Sequence, residues 1–234
     1  MPVFALRDEL IFPPPELADS DGLLAVGGDL SSDRIILAYA NGIFPWYSED
    51  SPILWWSPDP RFVLFPHELT VSRSLRQVIK RDEYRISFDE AFGRVIMHCA
   101  LVKRGGEKGT WITGEMMQAY RLLHEQGYAH SVESWHGDEL AGGLYGISLG
   151  RIFFGESMFA TRANASKVAF ATLVERLIRS GYALIDCQVK TRHLESLGAR
   201  EIAGETFREI LRHSVGVLPA DAPWEVKAVG SIFY

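Results

Sequence analysis

The sequence is poor in the features that most often announce a chemistry. Its 234 residues include only two cysteines, Cys99 and Cys187. Two in a chain of this length make no disulfide framework, so buried free thiols are expected, and with them a cytoplasmic protein. No run approaches the ~20 apolar residues that cross a bilayer. Residues 1–15 lack the basic start and long apolar stretch of a signal peptide. There is no Cys-x-x-Cys pair and no His-Glu-x-x-His, so no metal site is expected. Gly105 to Thr110 lacks the spacing and the Gly-Lys-Ser/Thr order of a P-loop, Gly142 to Gly146 is not Gly-x-Gly-x-x-Gly, and no Gly-x-Ser-x-Gly elbow occurs. These absences point to chemistry without metal, ATP or a covalent serine, on a substrate that arrives already activated.

Basic residues are also in the minority. Lys and Arg total 24 against 30 Asp and Glu, for a net charge of -6. That excludes a protein that coats nucleic acid indiscriminately, because such binding needs many cations facing phosphates. The acidity is uneven, however. Residues 1–60 hold two basic and ten acidic residues, a net of −8, so residues 61–234 carry +2. A local basic patch remains open.

What is present is a core. Forty-seven percent of residues are hydrophobic and 12% aromatic, which argues against disorder. Residues 1–60 are punctuated by Pro13–Pro15, Gly22, Gly27, Gly28, Gly42, Pro45, Pro52, Pro58 and Pro60. They read as a small acidic domain with one helix after Ser31 or Ser32, stopped by Gly42, and a strand over 53–56. From Arg61 to Tyr234 the pattern is regular. Strands are expected over 62–65, 84–88, 130–135, 139–145, 151–154 and 182–189. Helices are expected over 72–80, 91–101, 113–126, 165–179 and 206–213, with Leu75, Val78 and Ile79 inward in the first of these and Asn164 capping the fourth. Hairpins mixed with helices give a mixed α/β (α+β) fold.

Four constellations carry candidate chemistry. In Ile185-Asp186-Cys187-Gln188 a strand would put Asp186 and Gln188 on one face, so that a carboxylate holds the Gln amide; a polar strand face bonded to its neighbours is the plainer alternative. Glu156 stands alone among Phe153, Phe154, Met158 and Phe159, where an acid is costly to bury unless paired; a helix-capping Glu at a loop edge is the alternative. Trp46 and Trp111 sit beside Gly and Pro turns, where an indole either packs or offers a flat face to a base. Arg73, Arg76 and Lys80 share one side of a helix, as a solvated stripe or a phosphate contact.

Taken with Gly22-Leu23-Leu24-Ala25, Gly27 to Ser31, Gly42-Ile43-Phe44-Pro45-Trp46, Trp55 to Arg61, Ser72 to Leu75, Gly109 to Ile112, His130 to Glu133, Gly155 to Phe159, Asn164 to Lys167 and Asp186-Cys187-Gln188, these segments resemble the bacterial leucyl/phenylalanyl-tRNA–protein transferase family through most of the chain. The resemblance implies a small N-terminal domain and a larger acetyltransferase-like (GNAT) domain. It implies transfer of Leu, Phe or, less well, Met from aminoacyl-tRNA to proteins with N-terminal Lys or Arg, marking them for degradation in the N-degron pathway. It implies no cofactor.

The donor is an ester, so aminolysis runs downhill, and an α-amine with a reference pKa of about 7.7–8.0 is partly neutral near pH 7. By resemblance, Asp186 polarises Gln188, whose carbonyl accepts from the attacking amine; relay through the tRNA ribose or a water is the alternative. Leu144, Phe153, Phe170, Leu173 and Ile185 are candidates for the apolar pocket of the donor side chain. The terminal adenine stacks on Trp46 or Trp111. Glu156 meets either the cationic N-terminal residue or the α-amine of the acceptor. Two other readings compete: an acyl-CoA-dependent transferase of the same fold, for which Thr161-Arg162-Ala163-Asn164 is a weak pyrophosphate loop, and a silent tRNA-binding module, which the motif positions of Asp186, Gln188 and Glu156 disfavour.

Overall fold

A computed structural model describes residues 3–102, 111–220 and Trp224. The polar loop expected over 103–109 lies outside them. The described chain builds two sheets. The small one is made by β1 (Phe4–Leu6), β2 (Leu23–Gly27), β3 (Phe44–Pro45) and β4 (Leu54–Trp56), in the order β1-β2-β4-β3. Helix α1 (Ser32–Ala40) packs beside it, and Gly42 follows at φ 74, a left-handed turn that glycine tolerates. Its residues 34–40 are all buried, including Arg34, whose guanidinium donates to the carbonyls of Arg7, Asp8 and Glu9.

The large sheet has seven strands: β5 (Arg61–Leu64), β6 (Arg85–Phe88), β7 (Ala129–His136), β8 (Glu139–Leu149), β9 (Ile152–Ala160), β10 (Leu184–Gln188) and β11 (Arg200–Ile202). Their order is β11-β5-β10-β9-β8-β7-β6, antiparallel except where β9 and β10 run parallel. The mixed α/β class read from the sequence is the one observed. The parallel pair is joined through α5 (Ala165–Arg179). The other helices are α2 (Arg73–Lys80), α3 (Phe92–Leu101), α4 (Gly114–Glu125), α6 (Arg192–Glu195) and α7 (Gly204–Ser214).

Local chemistry explains most boundaries. Ser72 Oγ accepts from the Leu75 N–H to start α2, and Thr113 Oγ1 does the same for Met116 in α4. The expected stripe of α4, Met116, Ala119, Tyr120 and Leu123, is wholly buried. Three expectations fail. Asn164 makes no side-chain cap; it stands at φ 65 and turns the chain sharply into α5. Ile79 is 39% exposed, because α2 offers only Leu75 fully to the core. The strand expected over 151–154 runs on to Ala160, so Glu156 lies within a strand and not at a loop edge.

One core cluster crosses from the small sheet to the large one. It includes Leu24, Tyr39 and Trp55 with Tyr145, Ile147 and Phe154. A second lies between the large sheet and α5, with Phe153, Phe170, Leu173 and Ile185. Among the described residues no helix is long and apolar enough to cross a membrane, and no group of three or more His, Cys, Asp or Glu is placed to hold a metal ion. Both cysteines are buried and unbridged.

Candidate active site

The site begins where two parallel strands stop bonding. β10 pairs with β9 at Leu184–Ile152, Ile185–Phe153 and Asp186–Phe154, and no further. Both strands continue past that point. The register of β10 against β5 slips between Asp186 and Gln188, and Gln188 takes the left-handed φ of 58. The register of β8 against β9 slips at Tyr145–Gly146. There a Cβ on residue 146 would lie 2.2 Å from the Phe154 carbonyl oxygen, so only glycine fits. The strands part, and a cavity of about 530 Å³ opens between them.

Most of its wall is apolar. Leu144, Phe153, Phe170 and Ile185 form a buried floor, with Met158 and Leu194 at its edge. Trp46, 39% exposed, and the half-buried Trp111 stand on another side with Phe44 and Pro45. Leu173 is not part of the lining. It is fully buried one turn beyond Phe170, where α5 packs on the sheet.

One corner is polar. Tyr39 of α1 donates to Glu156 Oε1 at 2.6 Å, Tyr120 of α4 donates to Glu156 Oε2 at 3.0 Å, and the two tyrosine hydroxyls are 2.6 Å apart. Gln188 Nε2 also donates to Glu156 Oε1, at 3.1 Å. Hydrogen counting has a consequence here. With both tyrosines donating to an ionised carboxylate, their mutual contact holds no hydrogen; a proton on Glu156 supplies the third and closes the ring. Burial acts in the same direction. It pushes the Glu156 carboxyl up to about 7, assisted by the charge of Asp186 and opposed by the hydrogen bonds from Tyr39, Tyr120 and Gln188. Both phenols are raised well above their usual range, first by burial and then by the charge of Glu156.

Asp186 corrects the strand-face expectation. It is wholly buried and does not line the cavity. Its carboxylate takes a two-pronged ion pair from Arg61, Nε to Oδ1 at 2.8 Å and Nη2 to Oδ2 at 2.6 Å. It meets Gln188 only at the backbone, where the Gln188 N–H donates to Oδ1 at 3.0 Å. The slip after Asp186 breaks the alternation that would have put both side chains on one face. Glu156, not Asp186, therefore holds the Gln188 amide. Because the amide nitrogen is spent on Glu156, the Gln188 carbonyl oxygen remains as an acceptor.

Arg73, Arg76 and Lys80 lie exposed on α2, away from the cavity lining. Their helix packs against the first turns of α5 through Leu75, Ala165 and Val168. Cys187 lines the cavity, but burial foremost pushes its thiol far up, which disfavours a thiolate nucleophile. His193 also lines it; burial and then the charge of Lys167 hold its imidazole below the usual value. Sequence reading missed Tyr39 and Tyr120 as site residues because it counted them in apolar helix stripes. A phenol hydroxyl in a buried stripe needs a partner, and that was the available signal.

Comparison with known proteins gives a consistent result. The family described as leucyl/phenylalanyl-tRNA protein transferase matches residues 63–212, and its N-terminal domain matches residues 28–59. Among curated relatives, a leucyl/phenylalanyl-tRNA–protein transferase of Syntrophobacter fumaroxidans is 57% identical over 225 residues, 96% of each chain. One from Desulforapulum autotrophicum is 55% identical, covering 96% of this chain and 98% of its own. One from Azotobacter vinelandii is 58% identical, covering 93% and 96%.

Proposed function

The chain belongs to the leucyl/phenylalanyl-tRNA–protein transferase family, and from that premise we propose how its cavity moves an amino acid from tRNA to a protein. It is an aminoacyltransferase. The donor is Leu- or Phe-tRNA, with Met-tRNA used less well, and the acceptor is a protein whose N-terminal residue is Lys or Arg. The product, with its new N-terminal residue, enters N-degron degradation in the cytoplasm, where charged tRNA is made.

The observation that carries this reading is the Gln188–Glu156 bond at the polar corner of an apolar cavity. The donor side chain sits on Leu144, Phe153, Phe170 and Ile185, where size and apolarity select it. The terminal adenine stacks on Trp111 or Trp46. The neutral α-amine attacks the ester carbonyl while its N–H bonds the Gln188 carbonyl. A C–N bond forms, the bond from the acyl carbon to the ribose oxygen breaks, and the amine's proton ends on that oxygen. Glu156 polarises the Gln188 amide through Nε2. A carboxyl with a pKa of about 7 exists in both forms at neutral pH, so it can also hold the proton in passage. Holding amine and ester together supplies much of the remaining acceleration. Arg73, Arg76 and Lys80 contact acceptor-stem phosphates.

The deciding experiment mixes the protein with Leu-tRNA and a peptide beginning with Arg and reads the product by mass. One added Leu is expected. Addition to a peptide beginning with Ala at the same rate, or no addition to either, overturns the reading.

A further inference from the structure

Arg61 is 1% exposed, and its partner Asp186 is fully buried. Such a pair is weak evidence for stability, because desolvation offsets most of the attraction and apolar replacements are often neutral. The surroundings suggest another use. The guanidinium lies between two rings, 4.9 Å from the centre of Phe44 and 4.6 Å from that of Phe207. Phe44 is itself a cavity wall. The same Asp186 Oδ1 that accepts from Arg61 Nε accepts from the Gln188 backbone N–H. Gln188 stands at φ 58, a backbone that side-chain-bearing residues hold only when something nearby fixes it.

We infer that Arg61 is a positioning residue for the transfer reaction: by clamping Asp186 it holds the Gln188 backbone in the left-handed turn that aims the Gln188 amide at Glu156. The inference rests on the proposed part of Gln188 in catalysis. It assigns the ion pair to aiming, not to charge. Asp186 touches no group in the cavity, so its effect on transfer runs through the backbone of Gln188. Arg61 also ties this turn to the Phe44 wall, so one side chain sets both the amide and the adjoining surface.

The test uses the full chain with Leu-tRNA and an N-terminal Arg peptide. Removing Arg61 alone strands a buried carboxylate and unfolds too much to interpret. The double variant R61M/D186L replaces the pair by apolar groups of similar size. Its Tm is expected to return to near wild type, while kcat stays at least tenfold down with donor KM unchanged. R61K keeps the charge but loses the fork. It is expected to lower kcat and to move the limb of the pH–kcat profile that reports Glu156 to higher pH, because the Gln188 bond that lowers that carboxyl is lost. Wild-type kcat in either folded variant overturns the inference, and so does a lowered kcat in R61K with the limb unmoved. Q188A separates the two levels. If Q188A transfers at the wild-type rate, the part of Gln188 falls and this inference with it. If Q188A is slow and R61M/D186L is fast, only the part of Arg61 falls.

Discussion

Gln188 donates its amide N–H to Glu156 Oε1 across 3.1 Å, although the two residues lie on strands that have already stopped pairing. The bond bridges the gap the strands leave. It sets the one amide in the cavity against a carboxyl whose proton is held near neutrality. Four expected outcomes follow from this corner and its surroundings.

The first concerns pH and stability. Glu156 ionises at about 7 in the folded protein against a reference of 4.5. Between those values the folded state binds more protons than the unfolded state, so this residue's contribution falls as pH rises. Above about 7 the full burial penalty applies, at most about 3 kcal/mol. E156Q removes the charge. Its Tm is expected to gain on wild type between pH 5 and pH 8, by thermal denaturation across that range. A constant difference between the two proteins would refute the raised carboxyl.

The tyrosine ring makes a separate claim. Y39F removes one of the hydrogen bonds that lower Glu156, so the carboxyl should rise further. The corresponding limb of the pH–rate profile should move to higher pH, and kcat at neutral pH should fall several-fold. Y120F should move the limb the same way. A profile identical to wild type in both variants would remove the ring from the mechanism.

Trp111 is expected to serve the part of the donor common to every tRNA. A stacked base is worth about 1–3 kcal/mol, so W111A should raise donor KM roughly 5- to 150-fold. The rise should be equal for Leu-tRNA and Phe-tRNA in steady-state assays. A loss confined to one amino acid would show that the indole reads the side chain and not the base.

The charge stripe of α2 predicts a salt dependence. Reversing Arg73, Arg76 and Lys80 together should raise donor KM and flatten the plot of log affinity against log salt by about 2, from roughly 0.7–0.9 per phosphate. Stability should hardly change, since all three are exposed. A donor KM indifferent to the reversal would leave the stripe as ordinary solvated surface.

Long, strongly periodic elements were legible in the sequence: α4, α5 and the β7–β8 hairpin declare themselves by spacing. The strands β1, β2 and β11 and the helix α6 were not, being three to five residues long. A three-residue strand has no period to read, and its partner fixes it from outside. The cavity floor was legible apart from Leu173, which helical spacing puts near Phe170 but packing turns inward. The polar corner was only half legible. Glu156 stood out as an acid among aromatics. Gln188 was found, but its partner was misread, because strand alternation cannot foresee a slip of one residue. Tyr39 and Tyr120 were hidden by their own rings.

The hydroxyls of Tyr39 and Tyr120 meet across 81 residues of sequence. The family is recognised in two stretches, and Tyr39 lies in the first while Tyr120 and Glu156 lie in the second. Those stretches therefore do not behave as interchangeable cassettes. A chimera that takes its first sixty residues from one relative and the rest from another must seat a foreign tyrosine within a few tenths of an ångström of a native carboxyl. Inheritance of this enzyme's chemistry is all-or-none across that seam.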